Sequence, residues 1–156
     1  MIILALGSNL GDRAAYLAQA LAALEAAGVR ITARSGLHET PALLLEGAPP
    51  EWNIPFLNQV VLADAPAHSP MQLLALLKQT EQALGRTDRG RWSPREIDLD
   101  LIAYHDTLLE DALLSLPHPQ MHRRDFVLRP LVEIAPDWLH PRLGKTARQL
   151  LAELPA

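Results

Sequence analysis

Apolar positions change their period several times along the chain, and each change marks an element. IILAL at residues 2–6 is an unbroken apolar run, read as a short buried strand. From residue 13 to 27, Leu17, Leu21 and Leu24 recur at helical spacing, and Gly28 stops the pattern. Residues 30–38 alternate as a strand does. Thr40 to Pro55 carries Pro41, Gly47, Pro49, Pro50 and Pro55 and reads as a long loop, a kind that in compact domains is often functional. FLNQVVLA at 56–63 is a further strand. Ser69, Pro70 and Gln72 then supply a capping box with proline at the first helical position. The helix they open reaches about Leu84 and stops at Gly85, with Leu73, Leu77 and Leu84 on one face and Leu74, Lys78 and Glu81 on a neighbouring one. An arginine-rich loop leads to a strand at 97–104, a turn at His105-Asp106 into a short strand, and helices near 125–134 and 146–154.

The order β-α-β, loop, β-α-loop-β with a helical tail matches the ferredoxin-like βαββαβ arrangement. It predicts an α+β fold, a mainly antiparallel sheet with packed helices, in one domain spanning 1–156. A length of 156 residues, 49% apolar and 21% charged, suits one domain with a real core. There is no Cys, so disulfides and thiolate metal sites are excluded, and a reducing, cytoplasmic setting is natural. The apolar start has no basic residues ahead of it and is too short for a signal core or a membrane span, so no membrane is expected.

Charge refines the picture. A net charge of −4 argues against a general nucleic-acid binder. Yet Arg86, Arg89, Arg91 and Arg95 fall close together, opposed only by Asp88, and Arg123, Arg124 and Arg129 form a second group. Clustered arginine suits bidentate phosphate contacts.

That cluster precedes EIDLDLIAY, where two aspartates interrupt an apolar strand. Side chains of a strand alternate faces, so Ile97, Leu99 and Leu101 point one way and Asp98 and Asp100 the other, their Cα atoms ~6.5–7 Å apart. Two carboxylates there can share one Mg²⁺ or help hold two. The plain alternative is a strand with a wet outer face, but aspartate is disfavoured in strands and neighbouring like charges repel. Carboxylates for Mg²⁺ and arginines for the remaining charge together describe a polyphosphate site. No GxxxxGK[ST] segment is present, so a P-loop is excluded, and GSNLG reads as a turn.

RWSPREIDLDLI resembles the signature of the hydroxymethyldihydropterin pyrophosphokinase family of folate biosynthesis, and LALGSNLGD, Glu39-Thr40-Pro41, FLN at 56–58, LGR at 84–86 and LPHPQMHRRDFVLRPLVEIAPD at 116–137 agree in order. The resemblance implies a ferredoxin-like enzyme that binds ATP and 6-hydroxymethyl-7,8-dihydropterin and moves pyrophosphate whole, releasing AMP. It implies that Asp98 and Asp100 bind two Mg²⁺ ions and that Arg86 and Arg95 contact the phosphates. Glu81, His118 and Arg124 would be further ATP contacts. Phe56 and Phe126 would sandwich the pterin, Asn58 would bond its polar edge with help from Thr40, Pro41 and Leu43, and Trp92 would lie on a loop that closes over it. Ser93, Pro119, Lys78, Phe56 and the long 40–55 loop depart from the usual family pattern.

Two other readings compete. A different two-metal nucleotide transferase on the same aspartates would release pyrophosphate or ADP. An RNA-binding ferredoxin-like module would need exposed aromatics on its central strands and a basic sheet face, where this strand carries Asp98 and Asp100. The expectation is a monomer acting on small molecules, with no nucleic-acid partner.

Overall fold

The computed structural model describes residues 1–41, 46–86 and 95–155. The first apolar run forms β1 (Ile2–Ser8), in which every residue but Ala5 is buried. Helix α1 (Arg13–Ala26) starts where the Asp12 side chain accepts the Ala15 N–H, and ends before Gly28, whose φ of 95° places it in the left-handed region glycine favours. The alternating stretch at 30–38 is two strands rather than one. β2 (Arg30–Arg34) and β3 (His38–Thr40) both pair with β4 (Phe56–Asp64), and Ser35 to Leu37 separate them. Helix α2 (Pro70–Ala83) has the capping box formed in full by Ser69 and Gln72. Then come β5 (Asp98–Tyr104), a small hairpin of β6 (Leu109–Glu110) and β7 (Ser115–Leu116), α3 (Asp125–Ile134) and α4 (Ala147–Ala152).

The main sheet runs β2-β4-β1-β5, with every neighbouring pair antiparallel. This is the ferredoxin-like order, with β1 central and β5 outermost. Register puts Gly7 of β1 between Asn58 and Asp98, and Ala5 between Val60 and Asp100.

Each face of the sheet has its own core. On one, Ile2, Leu4, Leu6, Val61, Leu99 and Leu101 pack against Leu17, Leu21 and Leu24 of α1 and Leu73 and Leu77 of α2. On the other, Ile3, Val60, Leu62 and Ile102 pack against Val127, Leu128 and Leu131 of α3 and Leu150 of α4. The aspartates' face is therefore not the wet one. Helices cover it further along the strands, and Asp98 and Asp100 sit, half-buried, where that cover gives way to a cavity. A bulge, where Ile3 pairs with Ala103 and Leu4 with Leu101, brings both Ile102 and Ala103 into the second core.

Candidate active site

Three adjacent strands build the floor of that cavity, which encloses about 670 Å³. Asn58, Gly7 and Asp98 lie in one row across β4, β1 and β5. The middle position has to be small. A Cβ on Gly7 would stand 3.3 Å from Asn58 Oδ1 and 3.4 Å from the Phe56 ring, narrowing the floor between the amide and the carboxylate.

One end of the cavity is aromatic and amide-bearing, lined by Thr40, Pro41, Phe56, Asn58 and Phe126. Asn58 Nδ2 donates to Thr40 Oγ1 at 2.7 Å and to the His38 carbonyl at 3.3 Å. Both amide hydrogens are thereby engaged, so Oδ1 is the atom available as an acceptor. Phe126 has the Arg124 guanidinium carbon 5.5 Å from its ring centroid, a cation–π contact that joins the two ends.

The other end is charged, lined by Arg86, Arg95, Asp98, Asp100, His118 and Arg124. Arg86 Nη1 donates to Glu81 Oε2 at 2.5 Å and to Asp98 Oδ1 at 3.2 Å, and Arg95 Nη1 lies 3.5 Å from Asp98 Oδ2. Asp98 is thus held by two guanidinium groups, while Asp100 has no ion pair or hydrogen bond among the described residues. Burial pushes the Asp100 carboxyl well above the usual carboxylate range, and the charge of Asp98 pushes it further. The charges of Arg124 and Lys78 oppose the rise, as a bound cation would. No cluster of three His, Asp or Glu side chains suited to hold an ion alone occurs among the described residues, so the donor set fits an ion bound jointly with ligand oxygens.

His118 sits beside this end, anchored by its N–H to the Ile102 carbonyl at 2.7 Å. Its Nδ1 accepts the Gln120 N–H at 3.1 Å, so the ring proton resides on Nε2. Burial, assisted by Arg124, lowers its pKa to about 4, leaving a neutral donor at neutral pH.

The family model described as 7,8-dihydro-6-hydroxymethylpterin-pyrophosphokinase (HPPK) matches residues 3–136. The chain belongs to this family. HPPK relatives named 2-amino-4-hydroxy-6-hydroxymethyldihydropteridine pyrophosphokinase include that of Methylorubrum extorquens, 43% identical over 97% of this chain and 91% of the relative. That of Synechocystis sp. is 41% identical, over 97% of this chain and 75% of the relative. Among solved structures, Plasmodium falciparum wild-type HPPK-DHPS with pteroate superposes with a TM-score of 0.73 at 16% identity, across 97% of this chain. The chain spans only 42% of that longer one, and the likeness there is one of fold.

Within the HPPK frame, the positions singled out from sequence fall into three groups. Eleven of them, those named above at the two ends, line the one cavity. Glu81 does not line it. It is 3% exposed, and its carboxylate accepts the Leu99 N–H at 2.7 Å as well as Arg86, so it holds β5 and the arginine from beneath. Burial raises the Glu81 pKa, while the Leu99 N–H and Arg86 oppose the rise. Leu43 and Trp92 lie outside the described residues.

Sequence reasoning passed over Gly7 and Asn9. Asn9 Oδ1 accepts the Arg95 N–H at 2.8 Å, its own N–H donates to the Arg95 carbonyl at 3.1 Å, and its Nδ2 donates to the Ile54 carbonyl at 3.2 Å. The turn after β1 therefore fixes the backbone of Arg95. The signal was an amide directly after an apolar strand, where a polar side chain that becomes buried has to find partners.

Proposed function

We propose that this chain transfers pyrophosphate from ATP to the hydroxyl of 6-hydroxymethyl-7,8-dihydropterin, releasing AMP, as a step of folate biosynthesis. Family membership and the names of its relatives support this reading. The observation that carries it is the single cavity with a flat-ring end and a polyphosphate end sharing one floor. Phe56 and Phe126 offer faces to a heteroaromatic ring. Asn58 Oδ1 accepts from an N–H on the ring's amide-like edge, and an analogue lacking that N–H leaves the oxygen unpaired, which is the source of selectivity.

At the other end Arg86, Arg95 and Arg124 neutralise phosphate charge, and His118 donates Nε2–H to an oxygen. Asp98 and Asp100 would hold two Mg²⁺ ions, which when bound polarise the phosphates and lower the barrier to attack. The pterin hydroxyl attacks the β-phosphorus, and AMP departs. Positioning and charge supply most of the acceleration. No described helix is long and apolar enough to cross a membrane. The enzyme acts as a monomer on small molecules in the cytoplasm, without nucleic acid.

The test is product analysis of purified protein with ATP, Mg²⁺ and the pterin. AMP should appear only when all are present. ADP in place of AMP would favour another nucleotide-dependent transferase on the same aspartates, and no pterin-dependent product would remove the pterin from the reading.

A further inference from the structure

Resting on that reading, we infer that Glu133 and His38 form a positioning pair that sets the geometry of the pterin end from outside the cavity. Neither residue lines it. Glu133 lies near the C-terminal end of α3, and its two oxygens hold two donors. Oε1 accepts the Gly36 N–H at 2.9 Å, and Oε2 pairs with His38 Nε2 at 2.8 Å. The carboxylate thus grips the chain where β2 gives way to β3. The Gly36 N–H, with His38 behind it, holds the Glu133 carboxyl below the usual range, so the ionised form is the one in place.

Each partner leads to one wall of the pterin end. Phe126 precedes Glu133 by seven residues on the same helix, which returns it to the same side about 10 Å along the axis. Fixing Glu133 therefore fixes the far end of the helix that carries Phe126. His38, in turn, pairs with Asn58 across β3 and β4, and Thr40 pairs with Phe56. The two oxygens that orient the Asn58 amide, the His38 carbonyl and Thr40 Oγ1, both belong to β3. The route from Phe126 through α3, Glu133, His38 and β3 ends at Asn58 and Phe56. The charged end meets this route only at its start, where the Arg124 guanidinium lies over the Phe126 ring; Arg86, Arg95, Asp98, Asp100 and His118 lie off it.

A half-exposed hydrogen-bonded pair contributes little to global stability, so the pair's effect is local. It belongs to pterin binding and not to nucleotide binding. The experiment is fluorescence titration of the pterin into full-length protein saturated with Mg²⁺ and an ATP analogue carrying a methylene between its α and β phosphorus atoms. The analogue is also titrated alone. Glu133→Ala and His38→Ala should each weaken pterin binding roughly tenfold, with analogue affinity within about twofold of wild type. The double variant should be no worse than the worse single, because the two residues act as one unit. His38→Gln, which offers an amide N–H to Glu133, should recover most of the loss. Equal weakening of both ligands, or additive losses in the double variant, would reduce the pair to general scaffolding. Unchanged pterin affinity in both alanine variants would overturn the inference alone. A wild-type protein that binds the analogue and not the pterin would overturn the proposed function together with it.

Discussion

Asp98 and Asp100 share a strand face and differ in company. Asp98 lies within reach of Arg86 and Arg95, and Asp100 has no such partner among the described residues. The second aspartate is therefore the one whose charge works against the metal-free fold. Its raised pKa means the folded state holds a proton that the unfolded chain has released, so this group's contribution falls as pH rises through that range. Asp100→Asn should melt higher than wild type in chelator at pH 8, with the gap narrowing toward pH 4, and should lose nearly all turnover. A variant that melts lower would mean Asp100 already has a stabilising partner without metal. His118 has the opposite sign. Its pKa of about 4 lies below the ordinary imidazole value, so its contribution is whole above about pH 6.5 and is lost as pH falls toward 4. Denaturant unfolding of His118→Gln should show a shallower loss of stability than wild type between pH 6.5 and pH 4; parallel curves would mean the ring is not held neutral. At this scale the charged positions were legible because aspartate in an apolar strand contradicts its surroundings. Gly7 was not, since its role is the absence of a side chain between two residues distant in sequence.

Elements were legible where their ends carry local chemistry. Ser69 and Gln72 announce α2 and bond as the capping box requires, at 3.2 Å and 2.9 Å. Ser69→Ala should cost about 1 kcal/mol in chemical denaturation, with little change in turnover, since the cap lies far from the charged residues of α2. A loss well below that would mean the helix start is held by packing instead. The break at Ser35 to Leu37 was not legible, because its causes are remote. Ser35 Oγ accepts the Val60 N–H at 3.0 Å, and the next amide, Gly36, turns away to Glu133, almost a hundred residues on. Alternation alone reads straight through such a place.

For the molecule as a whole, the order of periods gave the topology, since a hairpin after βαβ followed by αβ leaves few sheet arrangements. What alternation could not supply was the second helix layer, which comes from the C-terminal residues after the last long strand. That layer makes the sheet a wall between two cores and confines the cavity to the end it leaves open. β5 is one of the sheet's outer strands, and two backbone groups on its far side are engaged by other parts of the chain. The Leu99 N–H goes to Glu81 and the Ile102 carbonyl to the His118 N–H. An unpaired strand margin is a template for recruiting another chain, so removing Glu81 is expected to open this one to self-assembly. Glu81→Ala should cost about 3 kcal/mol and should scatter light increasingly with concentration, whereas Glu81→Gln, which still offers an oxygen to Leu99, should stay dispersed. If the alanine variant also stays dispersed, the neighbouring chain closes that margin without it. Scattering confined to the alanine variant would give the carboxylate that bonds Leu99 and Arg86 a second duty, keeping each molecule separate from its copies.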